Sequence, residues 1–331
     1  MSRNAYAGKV VLVTGGLGFM GFNLVRRLID ADVKLKVLSR SWPPMPGNIE
    51  TVLGKATFLH GDIRDPVLVE EAVEGCDLIF HLAGKSGAAA SNASPLEDLD
   101  VNGRGMLTLL DACRRLNRPV KVVFPSSRLV YGANEKQPTS ELAAAAPLSI
   151  YGIHKWTCEQ YLLLYGRLHG LRTTILRITN PYGPFQRPEQ NRYGVVNWFI
   201  HQAMQNNALT VYGHGSQLRD YIHIDDVVAA LLAAGVSSQA DGMIFNVGSG
   251  NGVSFLQMAE LVVKKAGRGT IKHIEWPADD ALVETGDFVA DTTLIGERLG
   301  WQSRIPLESG IADVIAKYRQ MDPSEPWAQS S

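Results

Sequence analysis

Tyr151 and Lys155 stand four residues apart in Tyr151-Gly152-Ile153-His154-Lys155, so a helix through them carries both side chains on one face. A phenol beside an ammonium is acid/base chemistry. A free phenol has a pKa of about 10, and lowering it by about three units needs roughly 4 kcal/mol, which a lysine and a second nearby positive charge can supply in a closed site. Twenty-four residues before Tyr151 lies Ser127, in Pro125-Ser126-Ser127-Arg128-Leu129-Val130-Tyr131-Gly132. It follows the apolar run 120–124, where its hydroxyl could hold a reacting oxygen and help move its proton. Alone, a Y-x-x-x-K pair reads as readily as a helix surface pair. A serine at a strand end and a glycine turn upstream favour catalysis, with Ser127, Tyr151 and Lys155 as the catalytic residues.

The glycine turn follows Val10-Val11-Leu12-Val13 and reads Thr14-Gly15-Gly16-Leu17-Gly18-Phe19-Met20-Gly21. Gly16, Gly18 and Gly21 give G-x-G-x-x-G, and Gly15, Gly18 and Gly21 give G-x-x-G-x-x-G. Phe22, Val25 and Ile29 continue at helical spacing. Strand, glycine turn and helix together are what a dinucleotide fingerprint requires, since the bare backbone approaches a pyrophosphate and the helix offers its free N–H groups. An ordinary tight turn is the plainer reading of the glycines alone. Gly15, Gly18, Phe19, Met20 and Gly21 are the expected cofactor contacts.

These groups need a scaffold, and the chain describes one. Strand-like runs at 10–13, 33–38, 57–59, 77–82, 120–124 and 173–177 alternate with helical stretches such as 67–73 and 106–116. That alternation predicts a doubly wound parallel α/β sheet of Rossmann type, with ligands at the carboxyl ends of its strands. The residues after each strand are therefore the informative ones. After the second, Ser39-Arg40 suits the 2′-phosphate of NADP where an acid would suit the ribose of NAD; a solvent-facing Arg before the proline-rich stretch 42–46 is the alternative. After the third, Asp62-Ile63 places a carboxylate near an adenine, or simply starts a turn before Asp65-Pro66. After the fourth, Ala83-Gly84 is small enough to let a cofactor pass, with Leu82 and Ala83 as expected contacts. The second half is less regular, with helices at 193–205, 227–234, 255–266 and 311–318 and short strands at 209–212 and 245–248. It predicts a smaller α/β substrate-binding lobe interleaved with the first. Residues 1–180, joined by 221–249, form the dinucleotide-binding part, and 181–220 with 250–331 the lobe, whose tail after 321 is expected to be disordered.

Composition narrows the class further. The chain has 331 residues, 45% hydrophobic and 20% charged, with a net charge of −1, which gives no reason to expect nucleic acid or an anionic membrane as partner. No apolar run reaches the roughly 18 residues of a membrane span. Cys76, Cys113 and Cys158 form no C-x-x-C and read as buried thiols, and no metal constellation appears among the eight histidines. A cytoplasmic protein without a metal is expected.

The combination resembles the extended short-chain dehydrogenase/reductase family, in its nucleotide-sugar epimerase and dehydratase branch. Besides the fingerprint and the Tyr151–Lys155 pair, the resemblance rests on Arg177-Ile178-Thr179-Asn180-Pro181-Tyr182-Gly183-Pro184 and on Gly213 through Asp226, with its Arg219-Asp220-Tyr221-Ile222-His223. It implies a nucleotide-sugar substrate, NAD or NADP as cofactor, and a homodimer. Asn180 would contact the substrate's diphosphate or sugar and Arg219 a phosphate oxygen, as suits a guanidinium, although a salt bridge of Arg219 with Asp220 or Asp225 is the plainer alternative.

Three departures from the family pattern shape the expected activity. Dehydratases carry two carboxylates after the active-site Ser/Thr, where this chain has Arg128-Leu129, so the acid and base of a 4,6-elimination are missing. The Arg that commonly precedes the late Gly-Asp and grips the diphosphate is replaced by Leu282-Val283-Glu284-Thr285. Ser39-Arg40 stands where epimerases that retain NAD carry an acid. The expected reaction is epimerisation, at C4, of a nucleoside-diphosphate sugar. A ketoreductase using the same three residues once, and a catalytically inactive nucleotide-sensing protein, are the alternatives. Arg128 would bind the substrate, clamping an acidic group on the sugar such as a C6 carboxylate, or else pair with Glu135 or Glu141.

Overall fold

The computed structural model describes residues 3–40, 54–116, 118–134, 136–186 and 194–320; the proline-rich stretch, Glu135 and the tail after 321 lie outside them. Val10–Thr14 (β1) is a β-branched run buried on both faces. Val11 and Val13 enter one hydrophobic layer while Leu12 points into the other, as the two-residue period of a strand demands. Around it Lys34–Ser39 (β2), Ala56–His60 (β3), Leu78–His81 (β4), Lys121–Ser127 (β5) and Arg172–Ile178 (β6) pair in parallel. A later strand, Met243–Val247, completes a seven-stranded sheet at its β6 edge. This is the expected doubly wound Rossmann-type fold. Helices Phe19–Leu28 and Ile224–Val236 contribute to one layer; Pro66–Val73, Gly105–Arg115 and Ile150–His169 contribute to the other. Each fully buried Leu or Val in these layers contributes about 1.5–3 kcal/mol of apolar burial.

Between β6 and the returning strand the chain leaves the sheet. Asn180–Tyr182 (β7), Leu218–His223 (β9) and Gly252–Ser254 (β11) form a three-stranded sheet. Ala208–Tyr212 (β8) pairs with Thr270–Ile274 (β12), and Met243–Val247 is β10 in chain order. A separate apolar cluster, including Tyr182, Phe199, Leu209, Val262 and Val314, packs here. Asp220 on β9 is buried and accepts from Ser249 N–H and Oγ at 2.7 Å each and from Gly250 and Ala290 N–H at 3.1 Å. That carboxylate fastens β9 to the loops after β10 and near residue 290, so it is spent on structure. β5 runs three residues further than expected, through Pro125, Ser126 and Ser127. Polar Ser126 is tolerated inside the strand because it donates to Glu159, itself held by Arg177 in a fully buried pair.

Candidate active site

The end of β5 and the first turn of the Ile150–His169 helix meet at one point. Ser149 caps the helix, accepting from Gly152 N–H at 3.1 Å, and Ser91 Oγ accepts from Tyr151 N–H at 2.9 Å, so the orphan donors of the first turn are used. Gly152 lets the helix come close. A Cβ there would lie 2.6 Å from the Leu129 carbonyl, so a larger residue would push Tyr151 away from Ser127. Burial raises the Tyr151 pKa, and the neighbouring Ser127 hydroxyl opposes it more weakly. Lys155 is 8% exposed. Its Nζ donates to the Pro125 carbonyl at 2.8 Å and sits 4.3 Å from the Phe124 ring centre and 5.7 Å from that of Tyr151. Burial lowers its pKa to about 8. The three groups that the sequence singles out thus lie together at the end of β5. In the protein alone burial dominates, and Tyr151 holds its proton more tightly than a free phenol.

Beside this cluster the glycine turn closes against β4. Gly15 has φ 66°, and a Cβ on it would stand 2.7 Å from Ala83 N, so the turn and the Leu82–Ala83 bend touch through bare backbone. Gly18 caps the Phe19–Leu28 helix without a side-chain bond, leaving the N–H groups of Phe19, Met20 and Gly21 for an anion. Two residues that sequence reading passed over set this corner. His81 Nδ1 lies 2.8 Å from Thr14 Oγ1, which accepts from Ala83 N–H at 3.2 Å. Burial lowers the His81 pKa to about 3, so it is neutral. Ser39 lines a hollow of about 330 Å³ with Leu17, Phe58, Leu59 and His60. The Arg40 side chain is 61% exposed and reaches Asp62 only at 3.8 Å. Asp62 itself faces a partner not anticipated: Arg64 Nε and Nη2 donate to its two oxygens at 2.8 Å each, and this holds its pKa down at about 2. Ile63 next to it is buried against the helix layer. The uncapped helix, the bare turn and the Ser39 hollow fit a dinucleotide.

The third corner corrects two expectations. Arg219 forms a salt bridge with neither Asp220 nor Asp225; it pairs with Glu284 and donates to the Gly286 carbonyl at 2.6 Å. Arg128 does not pair with Glu141, which instead accepts from Asn246 N–H at 2.7 Å. Arg128 is 9% exposed and donates to Thr285 Oγ1 at 2.9 Å and, weakly, to Asn180 Oδ1 at 3.4 Å. Asn180 also donates to the Asp220 carbonyl at 2.9 Å. Burial and the neighbouring Arg219 lower the Arg128 pKa to about 9. Ser127, Arg128, Asn180 and Arg219 are therefore gathered from β5, β7 and β9, and Glu284 and Thr285 join them from the stretch that the sequence marks only as a departure.

Residues 11–248 match the NAD dependent epimerase/dehydratase family. The chain is 34% identical to the UDP-glucose 4-epimerase of Mycolicibacterium smegmatis, with 93% of this chain and 98% of that one covered. It is 29% identical to a dTDP-glucose 4,6-dehydratase of Streptomyces niveus, covering 93% and 92%. The UDP-glucose 4-epimerase of Thermus thermophilus, solved in complex with NAD, superposes with a TM-score of 0.84 at 29% identity, covering 94% of this chain and 99% of that one.

Proposed function

The chain belongs to the NAD dependent epimerase/dehydratase family, and from that premise we propose that it epimerises C4 of a nucleoside-diphosphate sugar. One arrangement carries the reading: Ser127, Tyr151 and Lys155 converge at the carboxyl end of β5, and Arg128-Leu129 follows where an elimination would need carboxylates. Tyr151 takes the proton of the C4 hydroxyl and returns it; Ser127, beside the phenol, holds the sugar oxygen in line. Lys155 is the cation that must offset the burial of a phenolate, and it would also hold the nicotinamide ribose. A bound nicotinamide supplies the hydride acceptor and donor, so C4 passes through a ketone with no net redox change.

The cofactor would rest on Gly15, Gly18, Phe19, Met20 and Gly21, with Ile63, Leu82 and Ala83 along its path. NADP is favoured over NAD, because Arg40 presents an exposed guanidinium while Asp62 is committed to Arg64. That same Ser39-Arg40 pair supports a second reading, an NADPH-dependent ketoreductase. Incubating the enzyme with UDP-glucose and a panel of nucleotide sugars, without added reductant, separates the two. Epimerisation gives a constant ratio of two epimers approached from either side; stoichiometric NADPH consumption on a keto sugar without epimerisation assigns the reductase.

We infer a homodimer from the surface of one helix. Ile153, Trp156, Leu164 and Leu168 are each more than a third exposed along one face of the Ile150–His169 helix, an apolar stripe suited to the same stripe of a second copy. Sedimentation at micromolar concentration that returns only the 36.1 kDa monomer refutes it.

A further inference from the structure

Two guanidinium groups and a single salt-bridging carboxylate meet beside Ser127. Glu284 is bound to Arg219, and its carboxylate also accepts from Gly286 N–H at 2.9 Å. Arg128 has no carboxylate partner among the described residues; its recorded bonds go to a hydroxyl and an amide oxygen, both neutral. A guanidinium has five N–H donors, and these bonds use two of them. Near it stands a second unspent group. Tyr221 is 3% exposed and its hydroxyl has no hydrogen-bond partner; it stands opposite Asn180, the residue that accepts from Arg128, in the β7–β9 pair. A buried cation that no carboxylate bonds, resting otherwise over the Phe288 ring at 5.5 Å, and a buried hydroxyl without a partner are each unfavourable. An anion with two oxygens would relieve both.

We propose that Arg128 and Tyr221 form an anion subsite for the substrate, taking an oxyanion at the corner between β5 and β9 that Arg219, already neutralised by Glu284, does not serve alone. The proposal rests on the nucleotide-sugar reading for the ligand's identity. Two substrate groups share the required chemistry: a carboxylate on the sugar, and a phosphate of the diphosphate. Arg128 follows Ser127 directly in the chain, which favours the sugar carboxylate; its closeness to Arg219 makes the phosphate the other arm.

Binding to the purified full chain is measured by calorimetry for UDP-glucose, UDP-glucuronate and inorganic pyrophosphate. The wild type is compared with Arg128→Met, with Arg128→Lys, which keeps the charge, and with Tyr221→Phe, which removes only the unpartnered hydroxyl. Arg128→Met should weaken a ligand held here roughly ten- to a hundredfold and Tyr221→Phe roughly three- to tenfold, as charged and neutral bonds respectively. A loss confined to UDP-glucuronate assigns a sugar carboxylate. A loss shared by all three ligands assigns the diphosphate. Unchanged binding of nucleotide sugars in both Arg128→Met and Tyr221→Phe overturns the subsite and leaves the nucleotide-sugar reading intact. Arg128-dependent binding of pyrophosphate by a protein that binds neither nucleotide sugar keeps the subsite and retires the reading. A wild type that binds none of the three overturns both. If Arg128→Met does not fold, Tyr221→Phe carries the comparison, and unchanged binding of every ligand in it overturns the subsite.

Discussion

Replacing Lys155 by Met should stabilise the fold at neutral pH while disabling the site, and the size of the effect can be worked from the geometry. The ammonium is 8% exposed, donates to a single carbonyl and otherwise faces aromatic rings. Its pKa falls from 10.5 to about 8, and at 1.36 kcal/mol per unit this is a penalty of about 3 kcal/mol on the charged form. Below pH 8 the lysine is charged in both folded and unfolded chains and the full penalty applies. Between 8 and 10.5 the unfolded chain binds the extra proton, so wild-type stability rises with pH; above 10.5 the penalty is gone. Methionine carries no such dependence. The stability of Lys155→Met minus that of the wild type should therefore shrink by about 2 kcal/mol between pH 7 and pH 9.5, while pH-independent differences such as the bond to Pro125 cancel. Urea unfolding of both nucleotide-free proteins, followed by tryptophan fluorescence at several pH values, measures it. A difference that stays flat, or grows with pH, refutes the reasoning. A wild type that tolerates this penalty has traded stability for function.

Tyr151→Phe should lower kcat at least roughly a hundredfold, the lower end for a positioned acid/base, with cofactor affinity retained; near-normal turnover would remove Tyr151 from the mechanism. Arg40→Ala should erase a preference for NADP over NAD, read as the ratio of the two dissociation constants. Tighter NAD binding by the wild type, or an unchanged ratio in the variant, would show that Arg40 does not meet a 2′-phosphate.

The main sheet was legible because its strands are apolar and β-branched, and because helices separate them at regular intervals. The smaller sheet was not. β9 reads Leu-Arg-Asp-Tyr-Ile-His, and its Arg219 and Asp220 are buried in partnerships with Glu284 and with the Ser249–Gly250 loop, so its pattern looks like a polar motif. β7 and β11 have three residues each, too short for a period to show. The same division runs through the site. Tyr151 and Lys155 share a helix turn, and Ser127 ends a recognisable strand. The pairing of Arg128 with Thr285 spans 157 residues and that of Arg219 with Glu284 spans 65, and no local spacing encodes either. The burial that raises the Tyr151 pKa in the protein alone is illegible for a related reason: residue spacing reports which charges are near, whereas burial depends on everything around them.

The place of β10 limits how this chain can be divided. That strand closes the large sheet against β6, yet it is reached only after β7, β8 and β9 have been laid down in the small sheets. A fragment ending near residue 180 would contain the fingerprint, Ser127, Tyr151 and Lys155, and would look like a complete cofactor module. It would also expose the full length of β6 as a bare edge, with unpaired N–H and C=O groups beside the apolar side chains of Ile175, Leu176 and Ile178, which is a template for intermolecular pairing. The large sheet and the small ones are thus sewn into one another by a returning thread, and neither half can be cut away as a self-contained part.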